Sequence, residues 1–236
     1  MKPKNLIVAS TSTLFGGQYL DYLLPEIAKL FKGCSSIIFI PYARPSGISH
    51  DDYTKKVSVV FEKIGISVKG IHEFDYPIEA ILKAEGIFTG GGNTFQLVSQ
   101  LYKFQIMNAI ADAINRGVPY LGTSAGSNIV GQSMKTTNDM PVVYPPSFAT
   151  LGILAFNLNP HYLDPDPTSK HNGETRETRI KEFHIYNSEA VVGLREGSWI
   201  EIKDAKMTLK GNFSARLFKP NQAAVEIPAE SDLATL

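Results

Sequence analysis

Cysteine is nearly absent from this chain of 236 residues; Cys34 is its only one. An internal disulfide is thereby excluded, which fits a reducing compartment. Net charge is absent too, because 23 Lys and Arg balance 23 Asp and Glu. With no basic stripe, nucleic-acid binding has no electrostatic support. No apolar run approaches the roughly 18 residues of a membrane span. The only N-terminal apolar run, Leu6 to Ala9, is too short for the hydrophobic region of a secretory signal. These absences lead us to expect a soluble, cytoplasmic protein with no nucleic-acid or membrane partner.

What is present is an ordinary globular composition, 43 % apolar, on a length that suits one α/β domain over residues 1–236. The first half alternates short apolar runs with longer amphipathic ones. "NLIVAS", "SIIFIPYA", "SVKGIHEF", "GIFTGGGN" and "VPYLGTSAG" read as strands. Tyr19 to Phe31, Asp51 to Gly65 and Thr94 to Gly117, the last as one helix or two, read as helices. That alternation predicts a mostly parallel sheet flanked by helices. In the second half, "ETRETRIKEFHIYN" reads as a charged helix. The runs "AVVGL", "SWIEI", "KMTLK", "ARLFK" and "AAVEI" then read as antiparallel C-terminal additions at the sheet edge.

Two glycine-rich stretches carry chemistry. Tyr120 to Val130 contains G-x-S-x-G, with Ser124 at its centre. A buried strand running into small residues and then a helix is the setting of a nucleophile elbow, with the Ala125 N–H aimed at a developing oxyanion. The plain alternative is a tight turn in which Ser124 or Ser127 caps a helix. Upstream, "FTGGGNTFQL" leaves the amides of three glycines bare. No Gly-Lys-Ser/Thr follows, so it is not a phosphate-binding P-loop, and it lacks the dinucleotide spacing.

A serine nucleophile needs a base, most often histidine. The five histidines are His50, His72, His161, His171 and His184, and none lies between Ile185 and Leu236. The lipase-like order of Ser, then acid, then a late His is therefore excluded. His161, in "FNLNPHYLD", follows an apolar run and a proline, as suits a held catalytic base. His171 sits in a polar loop, His184 in the charged helix and His50 just before a helix. The orienting carboxylate stays open among Asp139, Asp164, Asp166 and Glu196.

Taken together and in order, "FTGGGNTFQL", "TSAGS", "TTNDMPVVYPPSF", "NPHY", "HNGETRETRI" and "GLREGSWI" resemble the peptidase E family of serine aspartyl dipeptidases. The resemblance extends over about residues 88–200. It implies a glutamine-amidotransferase-like α/β fold and a triad of Ser124, His161 and Glu196. It further implies oxyanion donors from Gly91 or Gly92 beside Ala125, and Arg176 as reader of an aspartate side chain. Asp139 falls where the family also has an acid, to hold the substrate ammonium or shape the site. No cofactor and no metal are implied, and the partner is a small peptide with an N-terminal aspartate. Without the resemblance, Arg176 reads as an exposed helix arginine paired with Glu174 or Glu177. Two other functions fit less well: a cyanophycinase-like hydrolase of β-aspartyl-arginine links, and a non-catalytic small-molecule binding protein. Cysteine-based amidotransferase chemistry is excluded, since Cys34 lies far in sequence from the elbow.

Overall fold

The structure is a computed structural model that describes residues 3–168, 170 and 173–236. In chain order the first half runs β1 (Asn5–Ala9), α1 (Leu24–Leu30), β2 (Ser36–Ile40), α2 (His50–Glu62), β3 (Ser67–Gly70), α3 (Pro77–Lys83), β4 (Ile87–Thr89), α4 (Thr94–Lys103), α5 (Met107–Asn115), β5 (Tyr120–Thr123) and α6 (Ala125–Asn128). The second half runs β6 (Asn157–Pro160), α7 (Arg176–Tyr186), β7 (Val191–Leu194), β8 (Ser198–Lys203), β9 (Lys206–Gly211), β10 (Ala215–Phe218) and β11 (Val225–Ile227).

The main sheet has seven strands in the order β3-β2-β4-β5-β1-β8-β9. Its first five strands are parallel, and β8 and β9 are added antiparallel at one edge. Strand side chains alternate between faces. Leu6, Val8, Ile38, Ile87 and Tyr120 join one core with α3, α4 and α5. Ile7, Ala9, Phe39, Phe88 and Leu121 join another with α1 and α2. Both faces are thus covered, as parallel strands of near-continuous apolar sequence require. On the second face Phe88 packs against Phe39 and Phe61, with ring centroids 5.0 and 5.9 Å apart.

The α/β expectation holds, with local differences. Only "SWIEI" and "KMTLK" extend the main sheet. "AVVGL", "ARLFK" and "AAVEI" instead join β6 in a second sheet, β11-β10-β7-β6, where β6 and β7 run parallel. The run Thr94 to Gly117 is indeed two helices. Gln105, at φ 56°, takes the left-handed conformation that stops α4. The run Tyr19 to Phe31 is a single 3₁₀ turn, Asp21–Leu23, followed by α1, which starts where Pro25 needs no N–H partner. Helix α3, also opened by a proline, has no counterpart in the sequence reading. His171 lies outside the described residues. Among the described residues no helix is long and apolar enough to cross a membrane.

Because Phe88 is fully buried between α2 and the sheet, Phe88→Ala is expected to cost about 3–5 kcal/mol. Urea unfolding of the variant beside the wild type measures it; a loss below about 1 kcal/mol would show that this face carries little of the fold.

Candidate active site

The site gathers at the carboxyl ends of the parallel strands, where open α/β sheets place their ligands. At the end of β5 the chain turns sharply into α6. Ser124 occupies the turn with φ 54° and ψ −112°, a region that costs a non-glycine residue about 1–3 kcal/mol. Neighbouring contacts hold it there. The α6 backbone passes so close to β4 that a Cβ on Gly126 would lie 2.1 Å from the Thr89 carbonyl oxygen. Ser127, buried in α6, shares its hydroxyl proton between Ala9 O at 2.7 Å and Gly122 O at 2.8 Å. It ties the elbow to β1 and β5 rather than capping the helix.

His161 comes from the second sheet, directly after β6, and also has a positive φ of 54°. Its backbone N–H donates to Ser10 Oγ at 2.8 Å, and Ser10 Oγ donates to Leu194 O at 2.7 Å. Ser10, at the end of β1, thereby joins the two sheets. The imidazole lies between two partners, Nε2 at 2.9 Å from Ser124 Oγ and Nδ1 at 2.5 Å from Glu196 Oε1. A carboxylate can only accept, so the proton belongs on Nδ1 and Nε2 accepts from the serine hydroxyl. Glu196 stands in the exposed turn after β7, the parallel neighbour of β6. A hydroxyl, an imidazole and a carboxylate in this order can remove the hydroxyl proton and stabilise the imidazolium that forms.

Gly91 lies against the elbow, where a Cβ would come within 2.9 Å of Ser124 Cβ. Its carbonyl accepts from Tyr53 Oη at 3.2 Å. The N–H groups of Gly91, Gly92 and Ala125 donate to none of the described residues. A pocket of about 220 Å³ opens beside Ser124, lined among others by Thr94, Asn138, Asp139, His161 and Arg176. A larger hollow of about 520 Å³, around Ile38, Lys69 and Tyr76, shares no residue with it and contains no histidine.

Arg176 is half-buried at the start of α7, in the pocket wall. The pairing expected from local sequence does not occur. Glu177 pairs with Lys181 at 2.8 Å, and Glu174 lies 3.9 Å from Arg179. Arg176 forms no ion pair with a described residue. Burial and the nearby Arg179 lower its pKa, and Asp139 acts in the opposite direction. Asp139 Oδ2 accepts from Thr94 N and Thr94 Oγ1, both at 2.7 Å, and from Thr137 Oγ1 at 3.0 Å. It thus caps α4 from a distance and brings a negative charge to the pocket. His184 Nε2 donates to Glu189 O at 3.0 Å, His50 is the first residue of α2, and Asp166 accepts from Thr168. Sequence reasoning missed Ser10, although its place at the end of a parallel strand beside β5, the strand that leads into Ser124, was a usable signal.

The profile of peptidase family S51 matches residues 6–210. The chain belongs to peptidase family S51. The resemblance to peptidase E is borne out over nearly the whole length. Peptidase E of Streptomyces coelicolor is 44 % identical over 98 % of this chain and 94 % of its own. A probable alpha-aspartyl dipeptidase of Drosophila melanogaster is 41 % identical over 99 % and 97 %. Among solved structures, a peptidase from an acI-B1 Actinobacterium superposes with a TM-score of 0.74 at 15 % identity, over 98 % of this chain and 96 % of that one. A putative peptidase E protein from Listeria monocytogenes EGD-e superposes with a TM-score of 0.65 at 21 % identity, over 89 % and 99 %. At these identities the two structures support the fold alone.

In this S51 peptidase the remaining candidate acid, Asp164, is occupied elsewhere. It takes a two-pronged contact from Arg195, Nε to Oδ2 at 2.8 Å and Nη2 to Oδ1 at 2.7 Å. Arg195 reaches Glu226 in the same way, both contacts at 2.9 Å. The Arg195 contact holds the Glu226 carboxyl at about 2, down from its ordinary 4.5. A carboxylate so lowered adds stability above its unfolded value, and loses it as pH falls through the folded one. The stability advantage of wild type over Glu226→Gln should therefore be full above about pH 5 and shrink towards zero near about pH 2. Urea midpoints across that interval test this; an advantage independent of pH would contradict it.

Proposed function

We propose that this serine-type dipeptidase hydrolyses Asp-X dipeptides with a free N-terminal aspartate through Ser124, His161 and Glu196. The observation that carries the reading is the unbroken chain from Ser124 Oγ to His161 at 2.9 Å and on to Glu196 at 2.5 Å, facing a pocket whose wall holds Arg176, which forms no ion pair with a described residue.

His161 Nε2 takes the serine proton as Oγ attacks the scissile carbonyl. Glu196 holds the imidazole in the required tautomer and stabilises its charged form. The N–H groups of Ala125 and of Gly91 or Gly92 receive the oxyanion, each such donor being worth about 3 kcal/mol in the transition state. His161 then returns the proton to the leaving amine. Water, activated by the same imidazole, releases aspartate from the acyl-enzyme.

Specificity follows from the two charges in the pocket wall. The Arg176 guanidinium offers two parallel donors to the substrate β-carboxylate. Asp139 supplies the opposite charge for the α-ammonium. Its Oδ1, unlike Oδ2, bonds no described residue. A glutamyl substrate is one methylene longer, so it seats either the carboxylate or the scissile bond, not both.

Purified protein should cleave Asp-Leu far faster than Glu-Leu or Leu-Leu, with no loss in EDTA. No Asp-Leu cleavage, or cleavage abolished by EDTA, would sink the reading. Ser124→Ala should remove the activity and leave the circular dichroism spectrum intact. Arg176→Met should lower kcat/KM on Asp-Leu by about 2–5 kcal/mol while Leu-Leu turnover stays where it was; an equal loss on both would remove Arg176 from recognition.

A further inference from the structure

Outside the pocket lining, five charged side chains make one continuous series of ion pairs. Asp164 meets Arg195 at 2.7 Å, Arg195 meets Glu226 at 2.9 Å, Glu226 meets Arg216 at 3.0 Å, and Arg216 reaches Glu177 at 3.5 Å. The two ends of this series and Arg195 adjoin the site in sequence. Asp164 follows His161 by three residues, Arg195 directly precedes Glu196, and Glu177 directly follows Arg176. The links in between, Arg216 and Glu226, are opposite residues on the antiparallel pair β10 and β11. The second sheet thus connects all three candidate segments through side-chain charge.

The segments need such a connection. His161 leaves β6 in a left-handed turn, and residues 163–168 that follow are exposed. Helix α7 fully buries only Ile180, so few apolar contacts fix its position. Isolated surface ion pairs contribute little, but two-pronged arginine contacts in a network hold geometry well. Arg195 is well covered, with 17 % of its side chain exposed, and it also donates to Ser214 O at 2.7 Å and lies over the Tyr162 ring at 5.6 Å. The carboxyls of Asp164, Glu177 and Glu226 are all lowered, and both guanidiniums are raised, as a fully charged series requires.

We propose that this series positions the active site: Arg195 sets the His161–Glu196 contact, and Arg216 sets the α7 turn that carries Arg176. The proposal rests on the dipeptidase reading above for what the two segments do. Neither arginine is a catalytic residue; each acts through its neighbour.

The two halves predict different defects. Arg195→Met should slow labelling of Ser124 by a fluorophosphonate about 10- to 100-fold, as small misplacements at a reacting centre do. It should also broaden away the far-downfield proton resonance of the His161–Glu196 hydrogen bond. Asp164→Asn, which removes one of the two anchors, should do the same to a lesser degree and guards against a misfolded Arg195 variant. Arg195→Lys should recover little, because an ammonium cannot make both two-pronged contacts. By contrast, Arg216→Met and Glu177→Gln should keep the labelling rate within about twofold while raising KM for Asp-Leu about tenfold and narrowing the Asp-Leu over Glu-Leu preference.

Folded variants of both kinds that change labelling and KM by one common factor would reduce the series to a purely structural role and overturn the proposal. Unchanged labelling in Arg195→Met would overturn its first half. A wild-type protein that labels at Ser124 yet ignores Asp-Leu would defeat the aspartyl reading and the Arg216 half with it. The Arg195 half would still be decided by the labelling rates.

Discussion

The backbone of Ser124 is held where serine does not go by choice. At φ 54° and ψ −112° it stands between the last residue of β5 and the first of α6. The strain persists because the surroundings over-determine it. β5 is locked in the middle of the sheet between β4 and β1. The Ser124 N–H donates to Ala9 O at 3.1 Å, and Ser127 binds the same strand from the next turn. A helix so close to β4 admits no side chain at position 126. The result is a hydroxyl held clear of the sheet on a backbone that cannot relax, next to amides that donate to none of the described residues.

The rest of the site is arranged around that fixed point, and it comes from a different sheet. β6 and β7 run parallel, and the chain leaves both at the same end. The residues just past their ends supply His161 and, one further on, Glu196. Ser10 couples this pair to the main sheet, since its hydroxyl bridges His161 N and Leu194 O. One buried hydroxyl therefore sets the height of the imidazole relative to the strand that leads into Ser124. The third part, α7, brings Arg176 to the pocket wall with its charge uncompensated by any described acid. A cation left unpaired in a half-buried pocket favours an anionic ligand over plain solvent exposure.

Much of this was legible in the sequence, for identifiable reasons. The five parallel strands announced themselves as apolar runs alternating with amphipathic ones. The elbow was visible in G-x-S-x-G following a buried strand, and the absence of any histidine after His184 removed the lipase order. His161 stood out by its setting after a strand end. Glu196 did not, because four carboxylates had equal claims until the family resemblance was drawn; Asp164 loses its claim only in three dimensions, where Arg195 takes it. The pairing of Arg176 with Glu177 that local sequence alone suggests does not form, because the two are immediate neighbours and adjacent helix residues point apart. The glutamate instead reaches Lys181, four residues on. The second sheet was hidden for a different reason: a short strand carries no mark of which sheet it will join, since that depends on partners distant in sequence.

In the proposed mechanism Ser124 becomes acylated by the aspartyl group. An aspartyl p-nitrophenyl ester, with its good leaving group, is the substrate with which such an intermediate should build up before water removes it. Acid quenching within the first turnover, followed by peptide mapping by mass spectrometry, locates the adduct. The account predicts one aspartyl group per chain, on the peptide containing Ser124, and none in His161→Ala. An adduct on any other residue, or full turnover of the ester with no adduct in the burst, would contradict it.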